Sequence, residues 1–97
     1  THPVLFFEFD PTMTRRVGVD NPHEIWSALE ASGYADFVLW DNFGNYLRTL
    51  KNSEVRAAAG HLDGPRKSRS YDYWDVAAIH QDDGDLTEAI TRGEDLT

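Results

Sequence analysis

Two carboxylates are the first residues in this chain whose placement could do chemistry. Glu8 and Asp10 stand two apart at the end of an apolar run, Val4-Leu5-Phe6-Phe7-Glu8-Phe9, closed by Asp10-Pro11. On a strand, that spacing puts both on one face. In open α/β sheets ligands bind outside the carboxyl ends of the strands, so a half-buried Glu8 there could bind hydroxyls or act as a general base, with Asp10 beside it. The plainer reading is structural: Asp10 caps the next loop and Glu8 makes a buried hydrogen bond. A second group, His80, Asp82, Asp83 and Asp85, offers imidazole and oxygen ligands close together. Its spacing matches no calcium loop, and a polar turn followed by a helix cap accounts for the same residues, so no metal site is assigned. His61 with Asp63 reads as a solvated loop pair. Arg66-Lys67-Ser68-Arg69 and Arg15-Arg16 could recognise phosphate or carboxylate, but more simply balance nearby acids.

The elements that would position these groups are legible from period and punctuation. Val4–Phe9 is a β-branched and aromatic strand, apolar on both faces and stopped by proline. Asn21-Pro22-His23-Glu24 predicts a helix over about 21–33: Asn21 caps, Pro22 suits the first position, Glu24 reaches back to the cap, and Gly33 supplies the left-handed stop. Its apolar stripe is predicted to be Ile25, Ala28, Leu29 and Ala31 or Ser32. Residues 36–42 form a second strand, 43–46 a turn and 46–50 the return strand. Ser53 is read as the cap of a short helix through Glu54, Val55 and Ala57–Ala59 that ends at Gly60, 61–70 is a loop, and 73–80 the last strand. Asp85-Leu86-Thr87-Glu88 resembles a capping box for a short terminal helix, and the acidic stretch 82–97 is expected to be partly flexible, fraying at its end. Trp26, Trp40 and Trp74 are core or core rim.

The expected architecture is a single α/β domain or domain fragment: a mixed sheet of about four strands with two or three helices. Strands apolar on both faces call for helices above and below. Too few helices are available to cover both faces, which implies missing chain, a partner subunit or an exposed patch.

Composition narrows the function further. The 97 residues carry 17 acids against 9 Lys and Arg, a formal net charge of −8, and no cysteine. The negative field repels phosphate backbones and anionic bilayers, so neither nucleic acid nor a membrane is an expected partner. The lack of cysteine removes disulfides, thiolate zinc sites and thiol nucleophiles, and fits a cytoplasmic location. No apolar run approaches the roughly 20 residues that span a bilayer, and no signal peptide is visible. Thr1-His2-Pro3 leads almost directly into the first strand with no initiator Met, and reads as a chain cut from something longer. Glycine-rich phosphate loops, G-x-S-x-G and H-E-x-x-H are all absent from the sequence.

Four segments taken in order resemble a known family: Val4-Leu5-Phe6-Phe7-Glu8-Phe9-Asp10-Pro11; Leu29-Glu30-Ala31-Ser32-Gly33-Tyr34; Phe37-Val38-Leu39-Trp40-Asp41-Asn42-Phe43-Gly44-Asn45-Tyr46-Leu47; and Tyr73-Trp74-Asp75-Val76-Ala77-Ala78-Ile79. The series is similar to the C-terminal part of FkbM-type S-adenosylmethionine-dependent methyltransferases and covers about residues 3–81. The resemblance implies the closing half of a Rossmann-like sheet, with 37–42, 46–50 and 73–80 as its antiparallel end. It also implies O-methyl transfer to a small-molecule or saccharide hydroxyl. Glu8 and Asp10 would lie near the substrate. The family's glycine-rich loop and ribose-binding acid have no counterpart here, so the segment alone would be inactive and bind no cofactor. Two other readings compete: a stand-alone α/β interaction domain, a possible homodimer through an exposed strand edge, and a ferredoxin-like βαββαβ module.

Overall fold

A computed structural model describes residues 2–11, 17–18, 21–63 and 73–91. The Arg15-Arg16 pair, the Arg66–Arg69 cluster and the tail beyond residue 91 lie outside the described residues, as do the side chains of His61 and Asp63.

The elements run β1 (Leu5–Phe9), α1 (Glu24–Ala31), β2 (Tyr34–Asp41), β3 (Tyr46–Lys51), α2 (Asn52–Ala59), a 3₁₀ turn (Gly60–Asp63), β4 (Trp74–His80), a second 3₁₀ turn (Gln81–Asp83) and α3 (Gly84–Thr91). The sheet order is β1-β4-β2-β3. Every neighbouring pair is antiparallel, so the four strands and, among the described residues, these three helices fit the expected inventory, but the sheet is antiparallel throughout, not mixed. The reason lies in the last strand. β1 and β2, joined through α1, run parallel to each other, and β4 inserts between them in the opposite sense.

The first helix is shorter than its sequence signals suggest. It starts at Glu24, and its cap position is His23, whose side chain makes no capping bond. Pro22 is buried and sits in a preceding turn, closed by a 3.3 Å bond from the Glu24 N–H to the Asn21 carbonyl. The docking face is Trp26 and Leu29 with Ile25, whereas Ala28 and Ala31 are exposed. Aromatic bulk therefore outweighed the alanine pattern in choosing which side packs inward. Gly33 does end the helix, at φ +90°. In α2 the cap is Lys51, not Ser53, and its N–H donates to Glu54 Oε1 at 3.2 Å.

The two sheet faces follow from the registers. Leu5, Phe7 and Phe9 stand opposite Ala78, Val76 and Trp74, and these stand beside Phe37, Leu39 and Asp41. This is the two-helix face. α1, α2 and Leu62 close it into one core around Trp26, Phe37, Leu39, Val55 and Trp74. Trp26 meets Phe37 edge-on at 5.5 Å and Phe9 at 4.8 Å between ring centroids. The indole N–H groups of Trp26 and Trp74 are buried there without an acceptor, a cost this core carries against its large apolar area.

The other side is the one-helix face. Val38, Ala77 and Ile79 pack under Leu86 and Ile90 of α3. Two polar ties fix that helix. Thr87 Oγ1 donates to Asp36 Oδ2 at 2.9 Å, while Lys51 Nζ pairs with the same carboxylate. One turn on, Thr91 and Thr49 hydroxyls share a 3.0 Å bond. Thr87 and Thr91 are four apart, as are Leu86 and Ile90, so one helical stripe does both jobs. α3 reaches only part of this face. β1 is thus not covered on both sides as its apolar pattern suggests: Phe7 is half-buried on the two-helix face, and Phe6 is 66% exposed on the other.

Candidate functional site

Successive rows of the one-helix face grow steadily more open. The row of Phe6, Ala77, Val38 and Thr49 lies at the margin of α3. The next row runs Glu8, Asp75, Trp40, Tyr46 across all four strands. A register shift in β2–β3 between Leu39 and Trp40 turns Tyr46 onto the same side as Trp40 while Leu47 packs with the opposite core. Such bulges re-aim side chains at the rim of a sheet. Glu8 and Asp75 are exposed, Trp40 is half-buried and Tyr46 is 45% exposed. Between them lies an open cavity of about 360 Å³, lined by Phe6, Phe7, Glu8, Trp40, Asp75 and Val76.

Glu8 and Asp75 are direct cross-strand partners, a like-charge pairing that weakens a sheet. Just beyond, Tyr73 donates its phenolic hydrogen to Glu8. Desolvation, and then the negative charges of Glu8, Asp75 and Asp10, hold that phenol above its ordinary value. The protonated phenol is thus kept as a donor, and the three carboxylates act on one small region. Asp10 lies past the end of β1 and is half-buried. Glu8, expected half-buried, is instead at the surface, since α3 does not reach over that end of β1. The structure does gather Glu8 and Asp10 around Tyr73, at the carboxyl end of β1. Sequence reasoning missed Asp75, Trp40, Phe6 and Tyr73 as neighbours of Glu8. One signal was available: Asp75 is a charge set among Trp74, Val76, Ala77, Ala78 and Ile79, in a strand that is otherwise apolar.

Asp41 lies at the same end of the sheet but serves the turn. Its Oδ1 accepts from the Phe43 and Asn45 N–H groups at 2.8 and 2.9 Å, and Oδ2 from Asn45 Nδ2 at 3.2 Å. Burial opposes its charge, but these bonds prevail and hold its carboxyl below the usual value.

The histidine and aspartates of the second sequence cluster sit at the far end of the sheet. His2, His80 and Asp82 bring potential ligand atoms within 4.8 Å of one another. Their present bonds serve a structural purpose. His80 Nδ1 accepts from the Asp82 N–H at 3.1 Å, capping the 3₁₀ turn. The His2 ring stacks on His80 at 3.4 Å, and the His2 N–H donates to Asp83 Oδ2 at 2.9 Å, which lowers the pKa of that acid. Asp85 is exposed in the first turn of α3, apart from this group.

Comparison with protein families, with curated proteins and with solved structures finds no match. No helix among the described residues is long and apolar enough to cross a membrane.

Proposed function

We propose that this chain is the closing segment of a Rossmann-like, FkbM-type methyltransferase, working by O-methyl transfer from S-adenosylmethionine to a small-molecule or saccharide hydroxyl. The observation that carries the reading is the strand order: parallel β1 and β2, with β4 inserted antiparallel between them. A reversed last strand lodged between two parallel strands is the way such a methyltransferase sheet closes; β3 adds one further antiparallel strand at the edge here. A ferredoxin-like module instead centres on its first and third strands, whereas here the second and fourth are central.

In this reading Glu8 and Asp10 flank the substrate at the carboxyl end of β1. Binding and orientation supply most of the rate. An exposed carboxylate such as Glu8 accepts the hydroxyl proton, with Tyr73 fixing its position. The cofactor-binding half is not contained in these 97 residues, so they bind no S-adenosylmethionine by themselves. Calorimetry tests this directly. No heat of binding is expected from the isolated chain, and micromolar affinity would contradict the segment reading.

A second reading draws on a separate observation. β1 is an edge strand, with Phe6 66% exposed beside it, and unpaired apolar edges recruit further strands. A stand-alone domain of this kind would pair through β1 into a homodimer. Light scattering distinguishes the outcomes, since a monomer at high concentration counts against self-association.

A further inference from the structure

We propose that the cavity bounded by Phe6, Trp40, Glu8 and Asp75 is a binding site for a small organic cation, such as a protonated or quaternary amine. Three features of this one place point the same way. The first is charge. Glu8 and Asp75 face each other across β1 and β4, both exposed, a like-charge pair that weakens the sheet, with Glu8 also accepting from the Tyr73 hydroxyl. The bases among the described residues that could offset them are engaged elsewhere: Lys51 pairs with Asp36 under α3, and Arg56 bonds Ser27 Oγ on the opposite side. Arg48 stands in register with Leu39, in the row of the two-helix face.

The second feature is the aromatic wall. Trp40 is the direct neighbour of Asp75 on β4's other side, and Phe6 lies one row back on Glu8's strand. Indole and phenyl faces attract cations through their ring quadrupoles, and most strongly those that shed water readily, as alkylammonium ions do. A hydrated metal ion would find carboxylates here but would gain little from the rings. The third feature is size. A cavity of about 360 Å³ falls in the range of small-molecule sites. The net charge of −8 adds attraction at long range. A carboxylate pair with an aromatic side wall thus matches an ammonium head bearing alkyl groups and disfavours an anion. The inference needs only this cavity and stands apart from the methyltransferase reading.

Choline and its neutral isostere 3,3-dimethylbutan-1-ol serve as probes, followed by amide and indole NMR shifts on the full 97-residue chain. Choline is expected to shift the signals of residues 6–8, 40 and 75 saturably, with a Kd on the order of millimolar. The isostere should bind at least about tenfold more weakly. Glu8→Gln and Asp75→Asn should each raise the choline Kd about threefold, and the double variant about tenfold. Both side chains are exposed, so an unchanged amide spectrum elsewhere shows that each variant is folded. Four results would overturn the proposal: no saturation by about 50 mM choline, equal binding of the isostere, unchanged affinity in the folded double variant, or equal shifts from sodium chloride at matched ionic strength. Saturable binding of an oligolysine peptide with none of choline would also overturn it, in favour of a basic protein partner.

Discussion

The two faces of one four-stranded sheet have opposite fates. On the two-helix face, α1 and α2 seal Trp26, Phe37, Leu39, Val55 and Trp74 to 2% exposure or less. On the one-helix face, α3 covers Val38, Ala77 and Ile79 and then stops, leaving Phe6, Glu8, Asp75 and Tyr46 at the surface. The strands themselves do not explain the difference, since both faces of β1 and β2 are largely apolar. Among the described residues, helix supply separates them: α1, α2 and a 3₁₀ turn serve one side, and α3 serves the other. Sealing gives stability, and the uncovered end is where a ligand or a partner can enter.

The largest effects should come from the sealed side. Trp26→Ala is expected to cost about 3–5 kcal/mol in chemical denaturation, whereas Phe6→Ala should stay within about 0.5 kcal/mol. Similar costs for the two would erase the contrast between the faces. Next is Gly33→Ala. Gly33 holds φ +90°, and a Cβ there would press on His80 Nε2. The strained backbone alone predicts a loss of about 1–3 kcal/mol. Adding His80→Ala removes the collision but not the strain, so only partial recovery is expected.

Much of the sealed side is legible in the sequence. Gly33 as a stop, the turn at 43–46 and the three tryptophans as core or rim all follow from local chemistry, and β2, β3 and β4 fall within two residues of their expected limits. The misses arise from tertiary choices. Asn21, Pro22 and Glu24 form a convincing cap signature, yet the helix begins later because burying Pro22 and Trp26 outweighs one capping bond. The apolar pattern of β1 signalled cover on both faces, but no local pattern says which face a limited set of helices will take. Glu8 and Asp10 could be singled out because they end an apolar strand. Their companions Asp75, Trp40 and Tyr73 are distant in sequence, and only the pairing of β1 with β4 and β4 with β2 brings them near.

A smaller, pH-dependent effect belongs to Asp41. Its folded pKa is depressed, so its contribution is complete above the unfolded value of 3.8 and fades as pH falls through the lower folded value. Wild type should therefore exceed Asp41→Asn in stability by a constant margin near neutrality, and the gap should close in strong acid. A gap that widens on acidification would show that Asp41 is not held by the Phe43 and Asn45 bonds. The smallest effects are predicted on the open side. Asp75→Asn should raise stability by about 0.2–1 kcal/mol by relieving the cross-strand repulsion with Glu8, with the gain shrinking as salt is added. A loss of stability in that variant would mean that Asp75 serves the fold after all.

The strand order underlies the methyltransferase reading, the two unequal faces and the meeting of Glu8, Asp75 and Trp40 alike. Cross-strand NOEs in solution test it most directly. The order β1-β4-β2-β3 predicts contacts from Val76 to both Phe7 and Leu39, in antiparallel patterns on each side. Direct contacts between β1 and β2, or Val76 contacts to only one of the two residues, would contradict it.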